Sequence, residues 1–206
     1  MRVAALILAA LLCAGCSSEK QETSTADEHA PDSYKVKFET SKGDFGVTVT
    51  RDWSPLGADR FYTLVKSGFY DGARFFRVLP GFVVQFGIAA DPAVTAKWRV
   101  ANLMDEPVKQ GNRRATITYA KGGKNSRTTQ VFINLVDNAQ LDPLGFSAFG
   151  AVSQGMEVVD QFYGGYGEGA PRGNGPDQKT AEADGNAYLI RDFPKLDYIK
   201  KATIEK

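Results

Sequence analysis

Cysteine and histidine are nearly absent from this chain, two and one among 206 residues. Both cysteines, Cys13 and Cys16, fall within the first sixteen residues. The rest therefore has no thiol nucleophile and no disulfide, and its stability must come from its core. The one histidine, His29, sits in a polar stretch, SSEKQETSTADEHAPDS, so histidine-based catalysis and histidine ligation of metal are excluded from the domain after it. Neither sign of charge is in excess, with 25 Lys+Arg scattered against 24 Asp+Glu, and nothing suggests a nucleic-acid footprint. There is no internal repeat, no glycine-rich phosphate loop and no cluster at metal-ligand spacing, so neither metal nor cofactor is expected. No nucleophile has a base beside it, and no two carboxylates stand at a usable spacing. Binding, or a reaction that cleaves no bond, is favoured.

Long apolar runs are missing too. Val3 to Leu12 is unbroken but only about ten residues, where a membrane span needs roughly twenty. It follows Arg2 and precedes small residues, which reads as an export signal. Ala14-Gly15-Cys16 is similar to the lipobox of bacterial lipoproteins, in which that cysteine becomes the acylated N-terminus; Cys13 stands where leucine is more usual. The expected organisation is a lipoprotein signal peptide over 1–15, a flexible tether over 16–33 beginning at lipidated Cys16, and one domain over 34–206. The location expected is the bacterial cell envelope, with the domain facing the periplasm on a lipid anchor.

What is present is glycine and phenylalanine, 21 and 13 residues, among many short apolar runs, which leans toward β structure. Tyr34–Thr40 alternates apolar and polar residues, Lys42-Gly43 turns, and Phe45–Thr50 resumes, forming a hairpin. Ser54-Pro55 opens a short helix that Gly68 ends. Strands are expected at Arg74–Val78, Gly81–Gly87, Ala115–Ala120, Thr129–Leu135 and Ser147–Val152, and a second helix at Gly155–Tyr163. Gly164–Gly175 is read as a connecting loop, Ala187–Ile190 as a last strand and Phe193–Lys201 as a closing helix. The fold class expected is mainly β: a closed eight-stranded antiparallel barrel capped by two helices, with a C-terminal extension. Closure would remove exposed edges.

One segment concentrates the chemistry. In FFRVLPGFVVQFG, Phe75–Gly87, Arg77 stands among aromatic and aliphatic residues. Burying an unpaired cation there is costly, so it either pairs with a carboxylate such as Asp71 or faces a cleft. Val83 and Gln85 share one face of their strand, as Gln130 and Phe132 do of theirs. If these faces converge with Arg77 and Phe82, the pocket holds one guanidinium fork, two amides and two phenylalanine walls.

FFRVLPGFVVQFG and YAKGGKNSRTTQVFINL resemble the two signatures of the cyclophilin-type peptidyl-prolyl cis-trans isomerases, and the resemblance runs from Tyr34 to about Phe162. GNGPDQ and NAYLIRDFPKLDYIKK resemble an extension found in some bacterial members. The resemblance implies that Arg77 is the catalytic arginine, oriented by Gln85, and that Phe82, Val83, Phe132, Leu141 and Phe146 line the proline pocket. It implies further substrate contacts from Ala120, Lys121 and Gln130. Phe86 and Ile88 depart from the family's Gly-Gly-Asp run. Gln140 stands where an aromatic residue is common, which implies weak cyclosporin binding. The activity implied is rotation of X-Pro bonds in exported proteins by a monomer. The alternative is a cyclophilin-like binding lipoprotein with little turnover.

Overall fold

The computed structural model describes residues 26–205. Cys16, with the signal and anchor expected around it, lies outside them. Eight strands form one antiparallel sheet: β1 Ser33–Thr40, β2 Gly43–Thr50, β3 Arg77–Leu79, β4 Val83–Phe86, β5 Thr116–Tyr119, β6 Val131–Asn134, β7 Ala148–Gln154 and β8 Ile199–Glu205. The order across it is β3-β4-β6-β5-β7-β2-β1-β8. The sheet is antiparallel and curved, but the expected closed barrel is corrected: it is open, with β3 and β8 as its edges. A seam crosses the gap, an isolated bridge from Arg74 to Tyr198 flanked by the Phe75 N–H donating to the Asp197 carbonyl at 3.0 Å. β3 is three residues long before the Pro80-Gly81 turn, too short to carry a ladder across to β8.

Inward faces fill the interior with rings. Phe38 stacks on Phe45 at 4.7 Å, Phe75 on Phe162 at 3.9 Å, and Phe86 meets Phe38 edge-on at 5.8 Å. Phe86, one of the departures from the family pattern, is a fully buried core residue.

Helix α1, Pro55–Lys66, closes one mouth and buries Phe61, Leu64 and Val65. Ser54 does not cap it as the sequence predicts. The Glu106 carboxylate accepts from the N–H groups of Leu56 at 2.7 Å and Gly57 at 3.2 Å, while Ser54 Oγ donates to Glu106. An anion from a distant loop thus satisfies the free donors of the first turn. Residues 26–32, read from sequence as the end of a flexible tether, pack on the same helix: Arg60 Nε donates to Asp27 at 2.6 Å, Ala30 is buried, and its N–H donates to Asp59 at 2.9 Å. His29 is exposed.

The C-terminal region inverts two expectations. Ala187–Ile190 is not a strand but part of helix α5, Asn186–Asp192, preceded by α4, Gln178–Asp184, which Asp177 caps. Phe193–Lys201 is not a helix; it leads into β8, which pairs with β1. Phe193, Leu196 and Ile199 carry helical spacing, but Pro194 interrupts it, and pairing with the open edge of β1 outweighs local propensity. The second expected helix shrinks to one turn, α3, Met156–Val159, and α2, Pro92–Trp98, capped by Asp91, is an element the sequence pattern does not announce. A separate apolar cluster fastens this region to the body: Phe76 and Ile88 pack with Ala181, Leu189 and Leu196. Ile88, another departure, is thus the floor on which the extension sits.

Candidate active site

β3 and β4 pair so that Arg77 lies opposite Gln85, and Gln85 in turn lies opposite Phe132 of β6. Period-2 alternation then sends Val84, Phe86, Val131 and Ile133 into the core, and Val83, Gln85 and Phe132 to the other face. Gly87 lets Gln130 join them. Its φ is +110°, and a Cβ there would stand 2.4 Å from the Thr129 carbonyl oxygen, so only glycine permits the approach that puts Gln130 beside Gln85.

The ten predicted residues of the cleft all come together. Arg77, Phe82, Val83, Gln85, Ala120, Lys121, Gln130, Phe132, Leu141 and Phe146 line one open cavity of about 700 Å³. Val83, Phe132 and Leu141 form its apolar floor, with Phe82, Ala120 and Phe146 packed around them. Phe132 and Phe146 meet edge to face at 5.9 Å. The Arg77 guanidinium stands 5.9 Å from the Phe82 ring centroid. Lys121 does not reach into open solvent; its ammonium pairs with Asp105 at 3.1 Å and lies 5.4 Å from the Phe146 ring.

Polar side chains run across the cleft as a single hydrogen-bonded row. Arg77 Nη1 donates to Gln85 Oε1 at 3.1 Å, and Gln85 Nε2 donates to Gln130 Oε1 at 2.9 Å. Both alternatives for Arg77 hold at once: it faces the cleft and has a carboxylate partner. That partner is not Asp71, whose carboxylate accepts from the Ala202 N–H at 2.9 Å. Arg77 Nε and Nη2 donate to the two oxygens of Glu168 at 2.7 and 2.8 Å. These bonds, ahead of the opposing effect of partial burial, hold the Glu168 carboxyl below the ordinary glutamate value. At the other end, Gln130 Nε2 donates to Glu182 Oε1 at 2.9 Å.

Glu168 and Glu182 are site residues that sequence reasoning misses. One lies in the glycine-rich stretch read as a mere connection, the other in α4, where no helix is expected. No local pattern marks either. The only signal is that Arg77 requires a partner and that glycine-rich chain near a site can approach it closely.

Comparison with known proteins bears on the whole arrangement. Residues 35–180 match the family described as cyclophilin type peptidyl-prolyl cis-trans isomerase/CLD. Peptidyl-prolyl cis-trans isomerase A of Dickeya dadantii is 39% identical over 139 residues, covering 64% of this chain and 72% of its own. Peptidyl-prolyl cis-trans isomerase B of Escherichia coli is 32% identical over 178 residues, 80% of this chain and 94% of its own. In fold, the chain is similar to a cyclophilin-type isomerase of Cryptosporidium parvum, with a TM-score of 0.62 at 22% identity, covering 84% of this chain and 98% of that one.

Proposed function

Because the chain belongs to the cyclophilin-type peptidyl-prolyl cis-trans isomerases, we propose that it turns X-Pro bonds of exported polypeptides between cis and trans, with Arg77 stabilising the twisted bond. Amide resonance sets a barrier of about 20 kcal/mol to that rotation and an uncatalysed time of roughly 10–100 s. In the twisted state resonance is lost, the proline nitrogen becomes pyramidal and regains its lone pair. A guanidinium that donates to this nitrogen, or to the neighbouring carbonyl, favours that state without transferring a proton, and it stays charged throughout the workable pH range.

The observation that carries this reading is the position of Arg77 at the rim of the Val83–Phe132–Leu141 floor. A proline ring seated there is gripped on its apolar faces while the chain before it swings. Ala120, Lys121, Gln130 and Phe146 supply the remaining walls and polar contacts to the peptide. Binding needs concavity and apolar surface; the fixed cationic fork is what a purely binding cleft does not require.

We further read Cys16 as the acylated residue that tethers a monomeric domain to the cell envelope, the domain facing the periplasm. The signal-like leader supports this, and a Cys16→Ser variant should leave the membrane fraction. For the activity, exchange spectroscopy on an Ala-Pro peptide with the full chain and its Arg77→Ala variant is decisive. Removing one preorganised donor should cost on the order of 10²–10³ in turnover. Exchange equally fast with and without the full chain would instead leave a binding lipoprotein, and retained activity in Arg77→Ala would overturn the role given to the arginine.

A further inference from the structure

The cleft's polar row does not end where the two family signatures end. Its five members form one directed chain: Glu168 accepts from Arg77, Arg77 donates to Gln85, Gln85 to Gln130, and Gln130 to Glu182. Both terminal groups lie outside the two signatures in sequence, one in the glycine-rich loop and one in α4. We propose that Glu168 and Glu182 are positioning residues for the isomerase reaction, supplied by the C-terminal region, which clamp the guanidinium plane and fix the sense of the amide row.

At the arginine end the donors can be counted. A guanidinium offers five N–H groups in one plane. Glu168 takes two along the Nε–Nη2 edge and Gln85 takes one on Nη1, leaving one on Nη1 and one on Nη2 for a peptide. Two anchors on different edges of a planar group leave it no free rotation. The donors that remain are therefore aimed before substrate arrives, which is what electrostatic preorganisation requires.

At the other end the amides decide the direction. A side-chain amide can turn over and exchange its donor for its acceptor, and Gln85 and Gln130 alone would pair equally well either way. An arginine can only donate and a carboxylate can only accept. With Arg77 at one end and Glu182 at the other, only the sense observed satisfies every bond. If it reverses, the Gln85 NH2 faces the Arg77 N–H groups and the fork loses its anchor on Nη1.

The clamps are themselves fixed. The Gly169 N–H donates to Glu168 Oε1 at 3.0 Å, and Gln178 Nε2 donates to Glu182 at 3.3 Å. The apolar cluster of Phe76, Ile88, Ala181, Leu189 and Leu196 holds the surrounding segment to the body.

The proposal rests on the isomerase reading, and the experiment separates the two. Turnover of an Ala-Pro peptide is measured for the full chain and for Glu168→Ala, Glu168→Gln, Glu182→Ala and Glu182→Gln, with the Arg77 Nε–H and Nη signals followed by 15N NMR. Glu168→Ala should lower kcat by about ten- to a hundredfold, since a small misplacement of a catalytic group has that effect, and leave KM unchanged. Glu168→Gln should not rescue it, because the second oxygen of the pair becomes an NH2 group, a donor facing a donor on Arg77. Glu182→Gln should retain activity, because its oxygen can still accept from Gln130, whereas Glu182→Ala should not. In the spectra, slow guanidinium rotation in the wild type should become fast in Glu168→Ala. Unchanged or increased kcat in Glu168→Ala would overturn the proposal and make the carboxylate a bystander or an obstacle. A wild type without turnover would overturn the isomerase reading instead, and the clamp would then stand or fall on the Arg77 spectrum.

Discussion

Arg77 and Phe132 divide the work of the cleft, and their variants should separate it kinetically. Arg77→Lys keeps the charge but replaces a planar fork with a point donor, so it should lose most of what Arg77→Ala loses, on the order of 10² in kcat. Phe132→Ala removes part of the floor and should raise KM for an Ala-Pro peptide while kcat changes little. A Lys variant with wild-type turnover would show that charge alone suffices. Both residues are legible in the sequence through their surroundings: a cation within an apolar run, and a phenylalanine sharing a strand face with an amide. Glu168 is not. A glutamate in a polar, glycine-rich stretch looks solvated, and only tertiary approach brings it to within 2.7 Å of Arg77.

At the scale of elements, β4 and β6 carry the site, and the close contact at Gly87 sets their spacing. Gly87→Ala places a methyl against backbone that cannot move aside, so it should lower the melting temperature and also reduce turnover by displacing Gln130. Glu106 serves α1 in a different way. It neutralises Arg127, whose side chain is only 2% exposed, at 3.0 Å while accepting from the first turn of the helix. Glu106→Ala strands that buried cation and should cost about 3–5 kcal/mol in denaturant unfolding. The strands from β1 to β7 are readable because alternation persists through them and turn residues bound them. α4, α5 and β8 are not, since short segments with mixed spacing are decided by what they pack on. The apolar floor under the extension and the vacant edge of β1 exist only once the body has folded.

For the molecule as a whole, titration should define a plateau of stability. Asp59, Asp105 and Glu168 all lie below their ordinary values in the fold. For Asp59 and Asp105 burial pushes upward, but hydrogen bonds from Arg51 and Lys121, with backbone N–H groups, prevail. A depressed carboxyl stabilises the fold at pH above its unfolded value, and that stability is lost as pH falls through its folded value. The melting temperature should therefore begin to fall as pH drops through the ordinary glutamate value of 4.5. Tyr34, Tyr70 and Tyr119 are raised above 10.0, chiefly by burial, so their contribution is complete below pH 10.0 and is lost above it. Circular-dichroism melts across the pH range would test both shoulders; a melting temperature still rising well below 4.5 would contradict the first.

The order of strands has a consequence in time. β1 is the first strand of the domain and β8 the last, yet they are neighbours in register from Lys35 with Glu205 to Thr40 with Ile199. While the chain is being made, β1 can form its hairpin with β2, but its other edge stays open until everything between has been produced. Completion of the sheet is thus a late and non-local event, slow by its topology. For that interval the nascent polypeptide presents an unpaired edge and must be kept from its neighbours. An isomerase with this connectivity is itself among the chains that need protection while they fold.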